Sequence, residues 1–344
     1  MKIYLGTLGT NVCRISDKAA NSSILINGIS GSGKTTRMLQ IELQSVADKN
    51  TVIVIDTANS HSDSEIKKLT DCKYRSKINR ISALLDGLNL PFLTPFSQKS
   101  SYSEPDFLHI SSITNALSKP LKLGAAQTAI LRESIIFATK RLEDYASDID
   151  AIVAGLTRFG EKGLAVYNRL WEILNCKAFN LHSTKSILPG KVNILDLNGY
   201  NIDTQKILAE IILASFFGLI RCGQFPEIDA YHIFLDECQR FSYDANGSIC
   251  QLLREGRKFH IHLLLATQTF STFSKDALAV LNQAATRLYF RPSQTDIHKI
   301  SKALSPTEWQ IWKVRLANLK VGECIASGIF DVNGQEISRP LLLH

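Results

Sequence analysis

The stretch SSILINGISGSGKTT, Ser22 to Thr36, restricts the fold more than any other part of the chain. An apolar run, Ile24 to Ile26, leads into Gly28-Ile29-Ser30-Gly31-Ser32-Gly33-Lys34-Thr35, which meets the pattern GxxxxGK(S/T) at every fixed position. A helix-like segment with apolar Met38, Leu39 and Ile41 follows. Strand, glycine-rich loop and helix in that order make a phosphate cradle, a P-loop. The glycines let successive backbone N–H groups turn inward, and the helix N-terminus adds partial positive charge. The expected nucleotide-binding residues are Gly28, Ser30, Gly31, Ser32, Gly33, Lys34, Thr35 and Thr36. Lys34 is expected to reach the β- and γ-phosphates and Thr35 to place its hydroxyl on Mg2+, which makes ATP with Mg2+ the expected ligand.

Such a loop needs an acidic partner, and YHIFLDECQRF, Tyr231 to Phe241, offers one. The strand-like Ile233 to Leu235 ends in Asp236-Glu237. Asp236 is expected in the Mg2+ shell, and Glu237 as the group that orients or deprotonates the attacking water. TVIVIDTANS, Thr51 to Ser60, is another strand ending in an acid, Asp56. That residue is either a third carboxylate near the phosphates or a strand-end cap.

Further on, REGRKFHIHLLLATQTF carries a cationic cluster, Arg254, Arg257 and Lys258, at one end and Thr267-Gln268-Thr269 at the other. Phe259 to Ala266 is apolar apart from two histidines, as a strand buried on both faces should be. In P-loop proteins that insert a strand between the P-loop strand and the acidic strand, the inserted strand ends beside the γ-phosphate. Gln268 falls where a sensor of that phosphate would sit. The arginines lie at the far end, where they serve a neighbouring subunit's nucleotide better than their own, stabilising charge on the transferring phosphoryl group.

In order and spacing these motifs resemble the HerA/FtsK superfamily of ring-forming DNA-pumping ATPases, nearest its HerA-like branch and the related conjugative type IV secretion ATPases. The similarity extends over KVNILDLNGYNIDTQKILAEIIL (Lys191 to Leu213), AATRLYFRPSQTD (Ala284 to Asp296) and LKVGECIASG (Leu319 to Gly328), the last resembling a closing strand pair. The resemblance implies that Lys34 and Thr35 are the Walker A pair, Asp236 and Glu237 the Walker B pair, Gln268 the sensor and Arg257 the trans-acting arginine. It also implies a hexameric homo-oligomer, double-stranded DNA as partner, and a nuclease or effector protein acting beside it. HerA proteins usually begin with a small β-barrel domain, whereas this chain opens almost directly on the P-loop strand.

Composition excludes other classes. At 45% hydrophobic and 21% charged, the chain has ample core for a soluble globular protein, and a net charge of +7 is compatible with nucleic acid without requiring it. Seven scattered cysteines without a CxxC pair argue against a disulfide framework or zinc site and fit a cytoplasmic protein. The most apolar run, Ile207 to Ile220, is interrupted by Glu210 and falls short of the roughly 20 residues that span a bilayer, so no integral membrane segment is expected. His260 and His262 alternate along one strand without an evident third metal ligand.

Between about Ser100 and Leu188 the pattern is helical. Gln127–Leu142 puts Ile130, Leu131, Ile135 and Leu142 on one face, and Leu164–Asn175 does so with Val166, Leu170, Trp171 and Leu174, Trp171 being expected in the core. RFGEKG reads as a turn, and Ser305-Pro306-Thr307-Glu308 as a capping box that starts a helix carrying Trp309 and Trp312. The expected architecture is therefore α/β, a RecA-like (additional-strand) P-loop ATPase with a mostly parallel central sheet. Its core spans 1–99 and 189–344, with a helical insertion at 100–188. The expected function is ATP-driven DNA translocation. Alternatives are a conjugation- or packaging-type DNA-transfer ATPase, or an ATP-dependent scaffold of an effector complex that does not translocate.

Overall fold

The computed structural model describes residues 3–69, 75–93, 107–180, 182–221, 223, 229–244 and 247–344. Among the described residues nine strands form the central sheet, in the order β13-β10-β9-β3-β8-β7-β4-β6-β5. They are β3 (Ile24–Asn27), β4 (Thr51–Asp56), β5 (Ile78–Ser82), β6 (Val192–Asp196), β7 (Tyr231–Leu235), β8 (Ile261–Thr267), β9 (Thr286–Tyr289), β10 (Cys324–Ser327) and β13 (Leu341–Leu343). From β9 to β5 every pairing is parallel, whereas β10 runs antiparallel to both β9 and β13. The middle strands are apolar runs because both faces are covered, and every residue of β3, β4, β7 and β8 is buried.

Side chains alternate across the sheet, so adjacent residues serve different cores. One face carries Leu25, Ile53, Ile55, Ile233, Leu235, Leu263 and Leu265. Against it pack α3 (Phe107–Ser118), α4 (Ala125–Thr139), α5 (Asp148–Thr157), α6 (Gly160–Asn175), α7 (Ile202–Arg221) and α8 (Ser248–Glu255). So do α9 (Lys275–Leu281), α10 (Gln294–Leu304) and α11 (Trp309–Ala317). The other face, with Ile24, Ile26, Val52, Val54, Phe234, Leu264 and Ala266, is covered by α1 (Lys34–Ala47) and α2 (Asp63–Leu69). A second, four-stranded antiparallel sheet closes this side: β1 (Tyr4–Leu8), β2 (Asn11–Ile15), β11 (Phe330–Val332) and β12 (Gln335–Ile337), contributing Leu5, Cys13, Ile15 and Phe330 to the same core. The two ends of the sequence thus meet on one face of the P-loop helix.

The inserted strand is where the motif order puts it: β8 lies between β3 and β7, and Asn27 pairs with Thr267 in register. The run Ile207–Ile220 lies inside α7, whose residues from Thr204 to Leu219 are buried apart from Lys206. No helix among the described residues is long and apolar enough to cross a membrane.

Several local expectations need correction. Phe259 and His260 precede the strand rather than open it: Gly256–Phe259 is a 3-10 turn and His260 adopts a left-handed conformation. RFGEKG is not an extended turn, because α6 already begins at Gly160. Gly163 is instead a contact residue; a Cβ there would lie 1.9 Å from the Leu156 carbonyl oxygen. Trp171 is 56% exposed, not core. Leu319–Gly328 holds one strand, β10, whose partner β13 comes later in the chain. Ser305 Oγ does accept from Glu308 N at 3.1 Å, but the helix starts only at Trp309.

Candidate nucleotide site at the sheet edge

The P-loop hangs between two neighbouring strand ends. Gly28 N donates to the Thr267 carbonyl (3.3 Å) and Ile29 N to the Arg291 carbonyl (2.9 Å). Inside the loop, Ser32 Oγ donates to the Ile29 carbonyl at 2.7 Å, drawing the loop into a closed curl. Gly33 caps α1 with φ of 103°, and a Cβ on it would stand 2.8 Å from Gly322 N. Only glycine satisfies both conditions. Gly322 N in turn donates to the Ser32 carbonyl at 3.0 Å, so the loop before β10 braces the P-loop from outside. Arg37, one turn into α1, ties these parts together: its guanidinium donates to the Leu5 carbonyl of β1 and, at 3.2 Å, to that of Gly322.

Lys34 is buried and donates to the Ile29 carbonyl at 3.0 Å, within its own loop. Burial pushes its ammonium below the ordinary lysine value, and the charges of Asp236 and Glu237 partly hold it up. The P-loop lysine and the acidic pair therefore share one electrostatic environment. Thr35 and Thr36 stand half-buried in the first turn of α1.

Asp236 follows directly on β7 and is buried. Burial raises its carboxyl above the usual range, the Glu237 N–H bond (2.8 Å) opposes this, the Glu237 charge adds to it, and His61 lowers it again. Glu237 has φ 50° and ψ 48°, a left-handed conformation that costs a residue with a Cβ roughly 1–2 kcal/mol. Strain of this kind persists where the surroundings hold it, and here they do. Gln268 Nε2 donates to Glu237 Oε1 and Gln239 Nε2 donates to Glu237 Oε2. Thr267 Oγ1 lies 2.8 Å from Gln239 Oε1. Gln268 is thus brought onto Glu237 across two strands.

Asp56, left open above as third carboxylate or strand cap, has both oxygens turned to its own loop. Oδ1 accepts from Ala58 N and Ser60 N, each at 3.1 Å, and Oδ2 from His61 N at 3.0 Å. It is a strand-end cap.

Arg257 is exposed and sits in the 3-10 turn before β8, with its guanidinium on the Ala20 carbonyl of the same chain. Ten residues separate it from Gln268, and the seven of β8 among them alone span about 20 Å at strand rise. It cannot serve its own P-loop.

Three contributors escaped the sequence reading. Gln239 is one. The others are His61 and Glu42, whose Nε2 and Oε1 meet at 2.9 Å with side chains 1% and 0% exposed. Burial alone would lower the His61 pKa, but Glu42 beside it, with Asp56 and Asp236 nearby, raises it to about 9. The pair pins the P-loop helix to the loop after β4. A signal existed: Glu42 falls one turn after Met38 on the buried stripe of α1, where a carboxylate needs a partner. His260 and His262 are not joined by further ligands, and no cluster of metal-binding side chains occurs among the described residues.

The site's chemistry is that of phosphate recognition. A backbone cradle and a buried ammonium face an acidic pair whose second member is gripped by two amides. The oxygen-only set of the Thr35 hydroxyl and the Asp236 carboxylate suits a hard cation such as Mg2+.

No protein-family profile matches the sequence, and no curated protein does. Solved structures do match. VirB4 of Thermoanaerobacter pseudethanolicus aligns over 94% of this chain and 90% of its own, with TM-score 0.65 and 17% identity. The unbound bacterial conjugative coupling protein TrwB, in its deltaN70 form, aligns over 99% and 89%, with TM-score 0.64 and 13% identity. The plasmid coupling protein TrwB in complex with ADP and Mg2+ aligns over 94% and 85%, with TM-score 0.59 and 12% identity. At such identities the likeness shows the fold alone, an α/β fold with a mostly parallel central sheet, as the order of motifs implied.

Proposed function

We propose that the chain is a Mg2+-dependent ATPase that assembles with copies of itself and uses hydrolysis to move DNA. One observation carries the reading most: the Asp236–Glu237 pair stands beside buried Lys34 of an intact P-loop, with Gln268 of the inserted strand already on Glu237. In hydrolysis, the water oxygen attacks the γ-phosphorus and the bond to the β,γ-bridging oxygen breaks. The water's proton passes to Glu237. Lys34 and the loop N–H groups hold the phosphates, and Gln268 contacts the γ-phosphate. Thr35 and Asp236 would hold Mg2+, which when bound neutralises charge on the β- and γ-phosphates.

Arg257 has the placement of a group that acts on a neighbour's nucleotide: exposed, basic and at the far end of β8. Each site would then need an adjacent copy, which supports head-to-tail assembly, and we read that assembly as a closed hexameric ring. The likeness to VirB4 and TrwB favours a role in DNA transfer over one beside a nuclease. The test is the ATPase rate with and without double-stranded DNA, together with the native mass. Hydrolysis stimulated by DNA in a multi-subunit particle supports the reading. A monomer whose hydrolysis ignores DNA overturns it.

A further inference from the structure

Both oxygens of the Glu237 carboxylate are engaged, one by Gln268 and one by Gln239. A carboxylate only accepts, so each amide must present its NH2 to it, which fixes the orientation of both. For Gln239 this turns Oε1 toward the Thr267 hydroxyl, 2.8 Å away at the end of β8. Gln239 is therefore a bridge. Its acceptor is anchored on the strand whose next residue is Gln268, and its donor holds Glu237. Thr267 is fully buried, so the anchor does not drift with solvent. Gln268 differs: in the function proposed above its amide also serves the γ-phosphate, which would draw it away from Glu237.

We propose that Gln239 is a positioning residue that acts through Glu237. It holds Oε2 and so fixes the rotation of the carboxylate, while the departure of Gln268 frees Oε1 for the attacking water. The inference rests on the proposed role of Glu237 as base. The two amides have unequal duties: Gln268 releases the base when the phosphate arrives, and Gln239 keeps it aimed. Because Gln239 is anchored on Thr267, a shift of the β8 end on phosphate binding reaches Glu237 by two routes.

The test is steady-state ATP hydrolysis, with DNA present, by Gln239→Leu, Thr267→Val, Glu237→Gln and the double variant Gln239→Leu/Glu237→Gln. Binding of a fluorescent ATP analogue and the thermal midpoint are measured in parallel. Loss of aim should lower kcat of Gln239→Leu by about 10²-fold, with KM and analogue affinity within about two-fold of wild type. Thr267→Val removes only the anchor and should lower kcat by about ten-fold. In the Glu237→Gln background, Gln239→Leu should cost nothing further, because its effect passes through the carboxylate. Wild-type kcat in Gln239→Leu, or a raised KM with kcat unchanged, overturns the proposal. If Gln239→Leu does not fold, Thr267→Val alone decides it by the same two readings. If Glu237→Gln hydrolyses ATP like wild type, the base assignment itself is wrong; a dead Glu237→Gln beside a normal Gln239→Leu sinks only the positioning role.

Discussion

Replacing His61 with Leu tests how the P-loop helix is held. The substitution leaves the Glu42 carboxyl fully buried and without its partner, and its Oε2 already lacks one. Removing one member of a buried pair costs about 3–5 kcal/mol. The raised pKa of His61 gives a second figure for the same pair: a folded value of about 9 against 6.5 corresponds to roughly 3 kcal/mol at 1.36 kcal/mol per unit. For 344 residues, an unfolding entropy of about 2.1 cal/mol/K per residue turns ~3 kcal/mol into a fall in Tm of about 4 °C. The sign follows from the direction of the shift. Because the folded pKa is raised, the stabilisation is complete below pH 6.5 and is lost as pH climbs through about 9. Thermal unfolding of wild type and His61→Leu from pH 6 to 10 should therefore show a gap that is widest near pH 6.5 and narrows toward pH 9. Replacing both residues, Glu42→Leu/His61→Leu, should recover much of the loss, since no buried carboxyl is left without a partner. Equal melting of His61→Leu and wild type at pH 6.5, or a gap that does not change with pH, would refute the charged pair.

Other outcomes follow from the same geometry. His232 and His262 face each other on β7 and β8 at 5.3 Å; burial lowers His232 to about 3 and His262 to about 4. Both folded values are depressed, so this stability is present above pH 6.5 and lost as pH falls toward 3, and His262→Phe should flatten that acid limb in thermal melts. Lys34→Ala should abolish tight ATP binding, whereas Arg257→Ala should bind ATP but turn over ~10³-fold more slowly. Mixing these two inactive proteins should restore part of the activity; mixed assemblies that form and stay inactive would exclude action in trans. DNA binding should weaken steeply with salt and depend little on sequence, which a filter-binding series reads directly.

The central sheet was legible because a strand buried on both faces must be an apolar run, and a strand that ends at a site must end in polar residues. Ile24–Asn27 and Ile261–Thr267 satisfy both conditions, and Tyr231–Leu235 runs directly into Asp236-Glu237. The second sheet was not legible, since its four short strands come from opposite ends of the chain and most of their residues are not buried. The pairing of Leu8 with Asn11 across Gly9-Thr10 was a local clue to its first hairpin. Gln239 escaped notice for a different reason. In sequence it is one polar residue after an acidic pair, and its meaning comes only from Thr267 and Gln268 on the neighbouring strand. Trp171 kept helical spacing with Val166 and Leu170, yet periodicity does not say which edge of an apolar stripe the neighbours leave open.

The central claim is that Glu237 accepts the proton of the water that cleaves ATP, and Glu237→Gln tests it most directly. The amide keeps the side chain's size and one of the two oxygens that accept from Gln268 and Gln239, but it cannot take up a proton. In a single-turnover experiment with γ-labelled ATP and excess protein, the variant should bind ATP as tightly as wild type and release labelled phosphate ~10²-fold or more slowly. Phosphate release at the wild-type rate would show that the proton goes elsewhere and that the site does not work as described.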